Sequence, residues 1–144
     1  MILLDTNVVS EPTKPRPDAN VRAWIDSQPA NTLFICTPVL AELHFGVHRL
    51  AAGTRRDRLH AYIKHLQNDL YADRVLSFDA PAAAEYGRVV AMRIRIGRPI
   101  QQMDALIAAI ACVHRAVLVT RNVEDFVGLD IEILNPFPAV SGGT

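Results

Sequence analysis

Six acidic or amide side chains stand where an apolar run ends or a helix opens. Asp5 follows Ile2-Leu3-Leu4, and Glu42 lies in the first turns of the helix after Leu33-Phe34-Ile35-Cys36. Asp104 opens an apolar segment reaching His114, while Asn122, Glu124 and Asp125 follow Ala116-Val117-Leu118-Val119. Singly, each has an ordinary structural explanation: Asp5 as a helix N-cap, Glu42 as an exposed helix residue, Asp104 as a dipole-favoured first-turn residue, Asp125 as a loop residue. Glu42 and Asp104 fit that explanation worst. Glu42 is set among Val39, Leu40, Leu43 and Val47, and Asp104 between Met103 and Ala105-Leu106-Ile107. A nearly buried acid needs a partner. If three or four carboxylates meet, repulsion raises their pKa values unless protons or a divalent cation neutralise them. An all-oxygen set suits Mg²⁺ or Mn²⁺, whereas zinc prefers His and Cys.

Other chemistries lose support. His44 and His48 are four apart, but the run His-Phe-Gly-Val-His lacks the Glu that follows the first His in zinc proteases. There is no Gly-rich phosphate loop and no GxSxG elbow, which argues against nucleotide-binding and serine-hydrolase readings. Metal-assisted phosphodiester hydrolysis remains.

The elements that must position these residues follow from periodicity and punctuation. Ile2–Leu4 reads as a strand running through Asp5-Thr6-Asn7 into a helix, and residues 12–18, with three prolines, read as a loop. A short helix follows over Asn20–Ser27, with Trp24 packing inward. Leu33–Cys36 is a second buried strand. Thr37-Pro38 is read as cap and N1 proline of a helix over Val39–Ala51, with Gly53 ending it. Helical spacing of Leu59, Tyr62, Ile63 and Leu66 predicts a helix over Arg55–Gln67, and Val75–Phe78 a strand. Asp79 caps a helix over Ala82–Gly97 whose Tyr86, Val89, Val90 and Ile94 face the core. Met103–His114 forms another helix, nearly all apolar. Ala116–Val119 reads as a strand buried on both faces, and Ile131–Leu134 as a weaker edge strand. Short apolar strands alternating with helices give an α/β domain with a central parallel sheet, and the crevice of such a sheet lies outside the carboxyl ends of its strands.

Composition bounds the rest. At 144 residues, half of them hydrophobic, and a mean hydropathy of +0.14, the chain is expected to form one domain over residues 1–140 with a frayed tail over 141–144. The longest apolar run, Ala105–Val113, is too short for a membrane span, and the first residues lack a signal-peptide layout, so a cytoplasmic location and no membrane partner are expected. Cys36 and Cys112 are read as reduced, buried core residues. Net charge is zero, yet 13 of the 15 basic residues are arginine. They gather around positions 49–58 and 88–98. A charge run is ordinarily a solvated helix face, but arginine forks suit phosphates, and beside a catalytic site these residues would bind them.

Four segments in order resemble the PIN domains, and within them the VapC toxins of bacterial toxin–antitoxin pairs, especially the FitB-like branch. They are Leu3-Leu4-Asp5-Thr6-Asn7-Val8-Val9-Ser10-Glu11; Ala41-Glu42-Leu43 with Gly46-Val47; Asp104-Ala105-Leu106-Ile107-Ala108-Ala109; and Thr120-Arg121-Asn122-Val123-Glu124-Asp125-Phe126. The resemblance spans nearly the whole chain. It implies a three-layer α/β/α sandwich, an acidic pocket for Mg²⁺ or Mn²⁺, and endoribonuclease activity on structured RNA. It makes Asp5, Glu42 and Asp104 the metal set, with Asp125 as a further catalytic acid and Thr6, Asn7, Thr120 and Asn122 in support. Asn122 stands where many relatives carry a fourth Asp, which favours one-metal chemistry. Arg55, Arg56, Arg93, Arg95, Arg98 and Arg121 are the candidates for RNA phosphates. The resemblance further implies a cognate DNA-binding antitoxin and a homodimer, assembled with the antitoxin into a heterotetramer or hetero-octamer. The competing reading is a PIN-fold binding subunit of a DNA-binding repressor complex, catalytically weak or inactive because of Asn122.

Overall fold

The computed structural model describes residues 1–138; the tail expected over 141–144 lies outside them. Five strands form one parallel sheet: β1 (Ile2–Leu4), β2 (Leu33–Cys36), β3 (Val75–Leu76), β4 (Val117–Val119) and β5 (Ile133–Leu134), in the order β3-β2-β1-β4-β5. Leu3 lies opposite Phe34 on one side and Leu118 on the other. The chain moves outward from β1 to β2 and β3, then returns to the far side of β1 for β4 and β5. The order therefore reverses at the β1–β4 pair, the switch point at which ligands of open α/β sheets bind.

Six α-helices flank the sheet: α1 (Thr6–Val9), α2 (Ala19–Ser27), α3 (Thr37–Arg49), α4 (Thr54–His65), α5 (Ala80–Arg95) and α6 (Gln102–His114). Right-handed crossovers, nearly universal between parallel strands, put the β1–β2 and β2–β3 connections on one face and the α5–α6 connection on the other. Leu3, Leu4, Ile35 and Leu118 from the strands and Ile107 and Ile110 from α6 are completely buried. Each such side chain stabilises the fold by about 1.5–3 kcal/mol through its transfer from water. The alanines of α6, Ala105, Ala108, Ala109 and Ala111, are buried too, and their small size lets α5 pack closely along it.

Several boundaries differ from those read in the sequence. β3 stops at Leu76, because the Phe78 N–H leaves the ladder and donates to Thr37 Oγ1 at 3.2 Å. That hydroxyl therefore does not cap α3, whose N-cap position is Cys36 with no side-chain bond, although Pro38 does sit in the first turn. α3 ends at Arg49, so Gly53 lies in the connection that opens α4. α4 passes into a π-helical turn over Leu66–Leu70, closed by Tyr71 N donating to Leu66 O at 2.9 Å. Asp79 caps α5 as expected, accepting from Ala82 N. Cys36 is buried, but Cys112 is only half-buried and its sulfur accepts from Arg88 Nη2.

Of the inner face expected for α5, Val89 is buried and Tyr86 and Val90 pack against the core, but Ile94 does not. Ile94 is 59% exposed and Arg93 only 4% exposed. Arg93 Nε donates to Arg98 O at 2.7 Å and Nη1 to Val127 O at 2.6 Å, so the guanidinium enters the fold with two of its nitrogens hydrogen-bonded to backbone carbonyls. Ala82, Val89 and Arg93 form the buried stripe.

Candidate active site

Asp5 lies one residue beyond β1, at the sheet's switch point, and its N–H continues the ladder by donating to Val119 O at 2.9 Å. The carboxylate has two tasks. Oδ1 caps α1 by accepting the Thr6 N–H at 2.7 Å. Oδ2 accepts the Thr120 hydroxyl at 2.6 Å and Asn7 Nδ2 at 3.3 Å. Thr120 follows β4 directly, so the two central strands deliver donor and acceptor to one point. Its hydroxyl in turn accepts Asn122 N at 3.0 Å and Asn7 Nδ2 at 3.3 Å, while Asn7 Oδ1 accepts the Arg121 N–H at 3.1 Å. These bonds tie the start of α1 to the segment after β4.

Glu42, one turn into α3, comes to the same place through Thr6, whose hydroxyl donates to Oε1 at 2.8 Å. Thr6 thus touches Asp5 through its backbone and Glu42 through its side chain. Asp104 enters from the first turn of α6 and is half-buried. Asp125 is exposed, in the 3-10 turn Val123–Phe126.

The carboxylates feel one another. Burial raises the Asp5 carboxyl above its ordinary value; bonds from Thr120, Thr6 and Asn7 oppose the rise and the Asp125 charge adds to it. Glu42 is raised by burial and by Asp5, against the Thr6 bond. Asp104 is pushed up to about 6 by burial first, then by Asp5, Asp125 and Glu42, with Arg93 pulling the other way. Among the described residues, however, no three His, Cys, Asp or Glu side chains stand close enough to hold one ion by themselves. An ion placed here would take one or two carboxylates and complete its shell with water, the usual habit of Mg²⁺.

The remaining candidates divide. Arg121 is exposed beside the pocket, its guanidinium 3.7 Å above the Phe137 ring. Arg98 is exposed and pairs with Glu124 at 3.2 Å, and Arg95 is exposed at the end of α5. Arg55 is exposed and Arg56 half-buried on α4; Arg55, Arg58 and Lys14 line a surface cavity of about 720 Å³ away from the acids. Arg93 is the correction: buried, with two of its nitrogens engaged by carbonyls, it is not available to RNA phosphates. Its place on the buried stripe, four residues after Val89, was the available signal. Asn122 is exposed, and its contribution to the pocket is a backbone one, through Thr120.

The PIN domain family model matches residues 2–130. Toxin FitB of Neisseria gonorrhoeae is 37% identical over 95% of this chain and 99% of its own length. VapC ribonuclease Y4jK of Sinorhizobium fredii is 38% identical over 95% of this chain and 98% of its own. Among solved structures, FitAB bound to an IR36 DNA fragment matches with a TM-score of 0.88 at 37% identity, over 94% of this chain and 95% of that one. With a family model over most of its length and relatives of similar length and fold, the chain belongs to the PIN domain family.

Proposed function

We propose that this protein is a divalent-metal-dependent endoribonuclease, the toxin of a toxin–antitoxin pair. What supports the reading is the pairing of Asp5 and Glu42 through Thr6 at the switch point of the sheet, with burial and then the charges of Asp5, Asp125 and Glu42 raising the Asp104 carboxyl, in a chain similar over 95% of its length to a toxin and a VapC ribonuclease. Residues 1–140 are the proposed catalytic unit.

The donors fit a hard cation: all are oxygens, and their mutual repulsion is what a divalent ion would relieve. Of the three acids expected as ligands, Asp5 with Asp104 or Glu42 would give Mg²⁺ or Mn²⁺ one or two direct carboxylates, water completing the shell. Such an ion, when bound, lowers the pKa of its water and offsets charge on the phosphoryl group. The chain's own work is positional. Thr120, Asn7 and the Thr6 N–H fix the Asp5 carboxylate, Thr6 Oγ1 aims Glu42, and Asp125 adds negative charge at the rim. Arg121, with Arg95 and Arg98, supplies exposed charge for phosphates flanking the cut, and Arg55 and Arg56 on α4 would meet RNA only farther from the acids, giving affinity without base choice.

FitAB bound to DNA supports a DNA-binding antitoxin as partner here too; a homodimer of this chain is the proposed core of that assembly. No helix among the described residues is long and apolar enough to cross a membrane; the proposed place of action is the cytoplasm. The test is cleavage of a structured RNA panel by antitoxin-free protein in Mg²⁺, Mn²⁺ or EDTA, beside Asp5→Asn and Asp104→Asn. Metal-dependent cleavage lost in both folded variants is expected. Equal cleavage in wild type and variants would mean a contaminating nuclease. Antitoxin binding without cleavage in any form would favour the binding-subunit reading.

A further inference from the structure

Arg93 is a buried cation without a carboxylate partner. Among the described residues it makes no ion pair within 4 Å; its bonds go to the carbonyls of Arg98 and Val127. An unpaired buried charge is costly, so its position calls for a compensating interaction and a use. Both lie toward the acids. The Arg93 backbone accepts the Arg98 N–H at 2.9 Å while its side chain donates to the Arg98 carbonyl, cinching the turn at Gly97, whose φ is +71. That turn leads within a few residues into α6 and Asp104. The second carbonyl, Val127 O, ends the segment that carries Asp125. The same two segments meet again at Arg98–Glu124, 3.2 Å apart, and at Gly128, where φ is +84 and a Cβ would stand 2.6 Å from Ile96 Cδ1.

We propose that Arg93 is a positioning residue, a buried fork that fastens the segment leading to Asp104 to the segment carrying Asp125 and so sets the spacing of the two acids against Asp5. The inference rests on the nuclease reading above. Arginine suits the task because its rigid fork reaches two carbonyls at once, whereas lysine offers one compact charge. Residues that place others in this way act through geometry, and displacements near 1 Å can lower rates by about a hundredfold.

The experiment compares wild type with Arg93→Lys, Arg93→Gln and Gly128→Ala, the last of which disturbs the seam while keeping Arg93. Readouts are Mn²⁺ binding by electron paramagnetic resonance, kcat and KM for RNA cleavage, and hydrogen exchange over residues 96–101 and 124–128. With Arg93 as a fork, Arg93→Lys and Gly128→Ala each weaken Mn²⁺ binding and lower kcat at least about tenfold, with KM within about twofold and faster exchange in both segments. Overturning results are Arg93→Lys behaving as wild type, or Arg93→Gln binding Mn²⁺ more tightly, since Arg93 would then act through charge alone. Gly128→Ala tests the same seam should the Arg93 variants not fold. Wild type lacking any Asp5-dependent cleavage or Mn²⁺ binding would overturn the nuclease reading itself, and this inference with it.

Discussion

Replacing Asp104 with Asn is expected to make the metal-free protein more stable while removing its activity. The Asp104 carboxyl is raised from 3.8 to about 6, by burial first and then by Asp5, Asp125 and Glu42. Between those values the native state keeps a proton that the unfolded chain has released. Stability therefore falls as pH rises through this window, and the whole penalty is present above about pH 6. A rise of about two units, at about 1.4 kcal/mol each, sets a ceiling near 3 kcal/mol. Asp104 is only half-buried, so solvent screens part of this, and about 1–2 kcal/mol is expected at neutral pH. Asparagine keeps the shape and carries no charge to desolvate. Urea unfolding in EDTA at pH 7.5 and pH 5 measures the effect: the variant should exceed wild type at pH 7.5 by that amount, and the gap should narrow at pH 5 as the wild-type carboxyl takes up its proton. Added Mn²⁺ at about a hundred times its Kd should then stabilise wild type by about 2.7 kcal/mol and the variant far less. A variant no more stable than wild type at pH 7.5, or a gap that stays constant to pH 5, would refute the reasoning, because neither burial nor the neighbouring carboxylates would then be penalising the Asp104 charge in the native state.

Thr120→Val keeps the volume of a fully buried side chain but removes the donor to Asp5 and the acceptor for Asn122 N. It should cost about 2–3 kcal/mol, read as a lower urea midpoint at constant slope. Thr6→Ala releases Glu42, so cleavage should drop about tenfold in steady-state assays; unchanged cleavage would remove Thr6 from the site. Leu118→Ala opens a cavity in β4 and should cost about 3–5 kcal/mol in the same unfolding assay. Arg121→Ala should weaken RNA binding and lower the slope of log affinity against log salt by about 0.7; a parallel salt plot would show that this guanidinium meets no phosphate.

The strands were legible because each is a short apolar run stopped by a polar step, and a parallel strand buried on both faces has no other pattern to show. The helix ends were less so. Thr37 looks like a cap by type and place, yet a backbone donor 41 residues away claims its hydroxyl, and no local rule anticipates a partner at that distance. Helix α5 shows the same limit differently. Arg93 and Ile94 are adjacent, and hydrophobicity alone turns Ile94 inward. Two carbonyls from later loops reverse that choice, since a guanidinium hydrogen-bonded to them can be buried at less cost than one left unpaired.

Residue type and spacing along the chain determined the α/β class, the strand content and the acids worth testing. They did so because apolar periodicity and carboxylates in apolar surroundings are properties of neighbouring residues. Only the tertiary structure decided how those acids stand to one another. The reversal of strand order at β1 and β4 brings Asp5 and Thr120, 115 positions apart, to 2.6 Å; Thr6 brings Glu42 to the same point; and Arg93 turns from a candidate phosphate ligand into an internal fork. Each outcome depends on which distant backbone or side-chain group satisfies a buried polar atom, and that pairing is settled by packing of the whole sheet and its helices.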